Sequence, residues 1–439
     1  MQSEEYVKTL DYMFSLTKSG IKLGLENTRK LLEYVGDPHL QKRTIHISGT
    51  NGKGSTAAFI ESILRTAGYR TGLYTSPHLN YFEERIQLNR IPIPPEDLIR
   101  LSNQVRQVVE KYDIPVTFFE FGTVLAFLYF NESDTDWNII EVGLGGRLDA
   151  TNLTQAEISI ITSISIDHTE YLGEDLKGIA KEKALIIKGY GTVFANIHDE
   201  ELRAVVETVA RERSARLFWL GKGFKVQQIN MREGQQTFDY IAEDFQLEQL
   251  ETSLIGEHQA ANAALAIAAC WHLAEKDGKI DANHIRQGVK NAHWPGRLEI
   301  IANDPLVVLD CAHNPAGVIS LTKTLQQVFA GRKIILVLGV MRDKPLKEMM
   351  QSFIQLAESI ILVKPQQERS EDPYHLQKEY GHSKVEVIEA IPDALKAARA
   401  KASSGDIICV TGSIFTVAEA RKWMVDDSIL DNSGSHLGS

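Results

Sequence analysis

Cysteine is scarce in this chain: three residues in 439, Cys270, Cys311 and Cys409, far apart and each in an apolar setting. That pattern excludes a disulfide scaffold and a cysteine metal site, and it fits buried thiols in a reducing compartment. Positive charge is also short. The 47 Lys and Arg face 58 Asp and Glu, a net charge of −11, which argues against a general nucleic-acid or membrane-surface binder. An anionic substrate would therefore need a local basic pocket. No apolar run is long enough to cross a bilayer, the acidic opening Met-Gln-Ser-Glu-Glu lacks a signal-peptide core, and there is no repeat or low-complexity tract. The expectation is a cytoplasmic protein, and its length predicts two domains.

What is present centres on residues 44–67. Thr44, Ile45 and Ile47 suit a buried strand. Gly49, Gly52 and Gly54 then make a turn, and the apolar residues of 56–67 fall at helical spacing. Strand, glycine loop and helix together bind phosphate: the backbone can approach closely, its N–H groups point at the anion, and the helix start adds positive potential. Lys53 supplies a full charge and Ser55 a hydroxyl. The usual P-loop spacing is not met, since Ile47 stands where its first glycine would be and Gly54 follows the lysine. By itself the loop predicts a nucleotide, not a reaction.

Further strands predict further strand ends. Residues 137–144 read as a buried strand ending in a glycine-rich loop, which places Glu141 well for Mg²⁺ beside the phosphate loop. A third strand, 158–165, leads to Asp167 and His168. A lone histidine is more often structural than a ligand, but three successive strand ends carrying Lys/Ser, Glu and Asp-His point to one site. The run Lys181-Glu-Lys183 reads as a solvated helix face, and Asn262 lies in an alanine-rich helix where a purely structural role serves equally well. Residues 76–86 read as an ordered loop, and 222–255 alternate as strands with a hairpin at Glu233-Gly234. After Trp294-Pro-Gly-Arg297, boundary chemistry, strands and helices alternate again as a small doubly wound sheet. Asp310, His313, residues 339–344 and Ser413 sit at its strand ends, where ligands of open α/β sheets collect.

With these motifs placed, the chain resembles the folylpolyglutamate synthase/dihydrofolate synthase family of the Mur ligase superfamily. Gly49-Thr-Asn-Gly-Lys-Gly-Ser55, Thr75-Ser-Pro-His-Leu79, the 141–152 segment, Asp167-His168, Glu182-Lys-Ala184, Pro295-Gly-Arg297, Leu309-Asp-Cys-Ala-His-Asn-Pro315 and Thr411-Gly-Ser413 match in order. The resemblance implies an α/β fold: a P-loop-type ATPase domain with a mostly parallel sheet and a pterin/folate site over 1–296, and a smaller Rossmann-like glutamate ligase domain over 297–426; the polar composition of 427–439 predicts a disordered tail. It implies ATP-driven amide formation, in which a carboxylate takes the γ-phosphoryl group and the amine of L-glutamate attacks the acyl phosphate. The acid is dihydropteroate, a reduced folate, or both.

Residue by residue, the resemblance assigns ATP to Gly49, Thr50, Asn51, Gly52, Lys53, Gly54, Ser55, Asn262, Arg297 and Asp310. Two Mg²⁺ ions are implied, with Ser76, Glu141 and His168 as ligands. Lys53, His168, Lys183, Asp310 and His313 are the implied catalytic residues, with Lys183 carbamylated, and His313 and Ser413 face glutamate. Ile21–Leu25, the 118–121 segment with Phe121, and Leu148, Asp149 and Ala150 resemble the pterin-binding parts. A monomer that binds neither nucleic acid nor membrane is expected. Another Mur-type ligase is disfavoured because only about 40 residues precede the loop, too few for an added domain. An inert nucleotide-gated binding protein is disfavoured by the intact charged set.

Overall fold

The computed structural model describes residues 3–19, 24–381 and 383–434. The chain divides into two compact units: residues 1–228, 238–251 and 259–292 form the first, and 229–237, 252–258 and 293–439 the second. The sequence reading puts its boundary at 296/297. The observed division opens the second unit's long segment at His293 and adds two short earlier pieces, because compactness follows spatial neighbours rather than chain order.

The first unit begins with helices α1 (Glu4–Ser15) and α2 (Glu26–Tyr34), then β1 (Arg43–Ser48) and α3 (Lys53–Thr66). Next come β2 (Thr71–Tyr74), β3 (Ile86–Leu88), β4 (Ile91–Pro92), α4 (Pro95–Tyr112), α5 (Phe118–Glu132) and β5 (Trp137–Glu141). β6 (Ile158–Ile161), the single-turn α6 (Thr169–Leu172), α7 (Leu176–Ala184), β7 (Thr192–Ala195), α8 (Glu200–Glu212) and β8 (Arg216–Trp219) follow. The eight strands form one sheet in the order β4-β3-β2-β5-β1-β6-β7-β8. β3 pairs antiparallel with β2 and β4, while the β2–β5, β5–β1, β1–β6, β6–β7 and β7–β8 pairs are parallel.

β1 therefore lies between β5 and β6, where the chain's excursions to the two sides of the sheet meet, and a crevice opens at the carboxyl ends there. The register sets Ile47 beside Glu141 and Ser48 beside Ile161, so the glycine loop and the acid emerge at one level. β1, β5 and β6 are buried almost throughout, as expected of parallel strands covered on both faces. One covering cluster joins Leu31, Leu98, Val105, Phe121 and Phe127. Another joins Ile161, Ala180, Val193 and Val206. Residues 76–86, read as a loop, contain a 3₁₀ turn at Phe82–Arg85 before β3.

β9 (Phe224–Arg232), β10 (Gln235–Ala242) and β11 (Gln246–Thr252) form a three-stranded sheet with β10 in the middle. Gly234, at φ 73°, makes the turn between β9 and β10. Two helices follow, the alanine-rich α9 (Glu257–Asp277) and α10 (Ala282–Asn291).

The second unit contains β12 (Glu299–Asn303), β13 (Leu306–Leu309), α11 (Pro315–Val328), β14 (Ile334–Leu338), α12 (Leu346–Leu356) and β15 (Ser359–Leu362). It continues with α13 (Pro373–Tyr380), β16 (Val385–Val387), α14 (Ile391–Lys401), β17 (Ile407–Thr411) and α15 (Ile414–Gly434). Its sheet order is β12-β13-β17-β14-β15-β16, parallel except at β12. α15 is the last element and extends to Gly434. Residues 435–439 lie outside the described residues. Among the described residues no helix is long and apolar enough to cross a membrane.

Candidate active site

The loop after β1 is stapled to the segment after β6. Thr50 N donates to Ser163 O at 2.8 Å, Thr50 Oγ1 donates to Ser165 O at 3.0 Å, Asn51 N donates to Ser163 Oγ at 3.0 Å, and Thr162 Oγ1 donates to Asn51 O at 2.6 Å. Two glycines permit this approach. Gly49 has φ 145°, and a Cβ there would stand 1.9 Å from Thr162 Oγ1. Gly52 has φ 90°, and a Cβ there would meet Asn262 Oδ1 at 2.5 Å. Asn262 thus lies against the loop rather than merely in helix packing.

α3 starts at Lys53 without a side-chain cap, so the first N–H groups, at Lys53, Gly54 and Ser55, need another acceptor. The Ser55 hydroxyl is buried and unpartnered. Lys53 Nζ curls over the loop, donating to Gly49 O and Thr50 O at 3.1 Å each, and stands 4.0 Å from Glu141 Oε1. An uncapped helix start, an orphaned hydroxyl and a lysine fit a polyphosphate.

Glu141 is 5 % exposed and accepts from Ser76 N at 3.2 Å, so the β2 and β5 ends meet. His168 is exposed and sits at φ 53° as the residue before α6. It lines a narrow cleft together with Lys53, Asp167 and Lys183. Among the described residues no three His, Cys, Asp or Glu side chains form a metal cage. Mg²⁺ habitually uses one or two carboxylates plus phosphate oxygens and water, and the hydroxyl–carboxylate set of Ser76 and Glu141 fits that habit.

Lys183 corrects the solvated-face reading of its run. Lys181 is exposed, but Lys183 is 5 % exposed, because α7 brings its last turn against the end of β1, where Ser48 Oγ donates to Lys183 O at 3.1 Å. Burial, and then the Lys53 cation, push its ammonium down to about 7, against the pull of Asp167 and Asp149.

The substrate-segment residues divide. Phe121 is fully buried in the core, edge-on to Tyr12 at 5.6 Å, while Phe118 and Phe119 are half-buried. Asp149 is turned inward. It accepts from Leu144 N at 2.8 Å and Thr151 N at 3.0 Å, and burial raises its carboxyl, so it braces the glycine-rich loop. Ala150 is buried beside it and Leu148 is half-buried. Of the 21–25 segment, residues 21–23 lie outside the described residues.

In the second unit, β13, β17 and β14 are adjacent and parallel, which gathers three strand ends. Thr416 Oγ1 donates to Gly339 O at 2.9 Å and Gly412 N donates to Ala312 O at 3.2 Å. Asp310 accepts from Leu298 N and Ala312 N at 2.9 Å each. Burial raises its carboxyl, and the Arg297 cation opposes this. His313 Nδ1 lies 2.9 Å from Cys311 O, so that nitrogen carries the proton. Arg297 donates to Gly296 O at 3.1 Å. The Ser413 hydroxyl accepts from Thr416 N at 3.1 Å and so caps the start of α15. Cys270, Cys311 and Cys409 are free and buried.

A central strand, a glycine loop and a carboxylate on the next strand are joined here to a second, Rossmann-like unit. The Mur ligase middle domain matches residues 47–270, and the Mur ligase glutamate ligase domain matches residues 296–414. The protein is thus a Mur-type, ATP-dependent ligase. A Bacillus subtilis dihydrofolate synthase/folylpolyglutamate synthase is 36% identical over 427 residues, 95% of this chain and 98% of that protein. The Mycobacterium tuberculosis folylpolyglutamate synthase complexed with ADP and AMPPCP superposes with TM-score 0.88 at 30% identity, covering 96% of this chain and 99% of that one. The E. coli FolC complex with DHPP and ADP gives TM-score 0.87 at 30% identity, covering 96% and 98%. The chain belongs to the dihydrofolate synthase/folylpolyglutamate synthase family and is an ADP-forming glutamate ligase.

Proposed function

We propose that this ligase joins L-glutamate both to dihydropteroate and to the γ-carboxyl of reduced folates. The observation that carries the reading is the meeting, at neighbouring strand ends, of an uncapped helix start, Lys53 and the Glu141–Ser76 contact. The N–H groups of 53–55, Lys53 and Asn262 hold and orient the polyphosphate. Ser76, Glu141 and His168 would hold Mg²⁺, two ions in all, whose charge screens the approach of one anion to another. The acid's oxygen attacks the γ-phosphorus, the bond to the β-phosphate oxygen breaks, and ADP leaves. The neutral amine of glutamate then attacks the acyl carbon, phosphate departs, and a proton is released. Asp310, His313 and Arg297 serve the nucleotide and the incoming amino acid.

Lys183 reacts with CO₂ through its neutral amine, losing a proton to give a carbamate. Its depressed ammonium supports this, since only the unprotonated amine is nucleophilic. The protein acts as a cytoplasmic monomer. The test supplies ATP, Mg²⁺ and glutamate with dihydropteroate or tetrahydrofolate separately and weighs the products. Each should gain one glutamyl residue, and growth of only one acid would leave a single activity. Absence of acid-dependent ADP release with both would end the reading.

A further inference from the structure

Arg85 ends the 3₁₀ turn before β3 and is 9 % exposed. Arg43, Arg65, Arg100, Arg147 and Arg421 each rest on a carboxylate. Arg85 does not. Among the described residues its only side-chain hydrogen bond runs from Nε to His78 Nδ1, at 2.7 Å. An arginine N–H can only donate, so that histidine nitrogen accepts and the imidazole is neutral there. The guanidinium carbon lies 5.1 Å from the Phe118 ring centroid and 5.9 Å from that of Phe82. One edge is thus pinned and one face covered, which leaves the two Nη groups oriented without an acceptor among the described residues. A buried cation in that state is costly unless an anion reaches it.

The placement says which anion. Arg85 O accepts from Thr75 N at 3.0 Å, which ties Arg85 to the segment whose next residue, Ser76, donates to Glu141. Burial pushes the Arg85 guanidinium down, and Tyr74, then Glu141 and Glu84, oppose this. The fork therefore belongs to the strand ends that carry the phosphate loop, beside a half-buried aromatic segment.

We propose that Arg85 receives the carboxylate of the acid substrate on its Nη groups, with the acid's aromatic ring lying against Phe118. This rests on the acid being a pteroate-type or folate carboxylate. Two parallel N–H···O bonds match a carboxylate's geometry and its full negative charge. Phosphorylation at oxygen removes that charge, so Arg85 holds the ground-state acid. Its loss raises the acid's KM more than it lowers kcat.

The experiment measures binding of dihydropteroate and of its carboxamide, with ADP and Mg²⁺ present, to the wild type, Arg85→Ala and Arg85→Lys. Wild type should prefer the acid by about tenfold to a hundredfold, the size of a charge-assisted pair. Arg85→Ala should bind both alike and Arg85→Lys fall between, with KM for ATP unchanged in each. Added guanidinium should restore part of the preference to Arg85→Ala. An acid preference kept in Arg85→Ala overturns the proposal. If Arg85→Ala does not fold, Arg85→Lys decides: a full wild-type preference there overturns it. A wild type that binds neither compound and releases no ADP with either acid would instead overturn the substrate reading.

Discussion

Lys53 and Glu141 stand 4.0 Å apart at the ends of neighbouring elements, and each is expected to act directly on the reacting phosphates. Lys53→Ala or Glu141→Ala should lower acid-dependent ADP release by about a hundredfold to a thousandfold, the effect of removing one well-placed electrostatic group. Turnover near the wild-type rate in either variant would remove these residues from the chemistry. Lys183 makes a different prediction. In CO₂-free buffer, where Lys183 stays an amine, burial lowers its ammonium from 10.5 to about 7 in the folded chain, so between those values the unfolded chain binds the extra proton and stability rises with pH. Below about 7 both states are charged and the burial penalty is complete; above 10.5 it is gone. Lys183→Met should therefore be the more stable protein at pH 6, with the gap closing toward pH 10. Parallel melting-temperature curves for the two proteins across that window would contradict the assignment.

Elements position these residues, and their ends are the weak points. Asp175 caps α7 by accepting from Lys177 N at 3.1 Å and Gly178 N at 2.9 Å. Asp175→Ala should cost about 1 kcal/mol in chemical denaturation; an unchanged midpoint would mean the cap contributes nothing. Gly49→Ala places a methyl 1.9 Å from Thr162 Oγ1 at a positive φ. About 1–3 kcal/mol of strain should follow, together with a raised KM for ATP, because the loop can no longer close on the segment after β6. Normal ATP affinity in that variant would show the staple to be dispensable. α3 is the opposite case: the lack of a side-chain cap at its start leaves N–H groups for an anion.

At the scale of the molecule, each unit encloses its own apolar core: Leu31, Leu98 and Phe121 lie in one, and Val308, Leu336 and Phe353 in the other. Calorimetry should accordingly give an unfolding enthalpy larger than the van't Hoff value for a single transition. Equal enthalpies would mean the units melt as one. Much of this organisation is legible in the chain itself. The β1–loop–α3 unit and the alternating strands of the second unit are local patterns, and β-branched runs, glycines and helical spacing operate over a few neighbouring residues. Asn262 against Gly52, the burial of Lys183 and the pinned fork of Arg85 are not legible there. In each, the deciding neighbour comes from elsewhere in the fold or from a turn that composition hides: α9 against the loop, the end of β1 beside α7, His78 and Phe118 around a residue read as loop. The sequence alone determined which groups carry charge and where strands end. Only the tertiary structure decided which charges lose their water, because desolvation depends on everything packed around a group and not on the residues beside it in the chain.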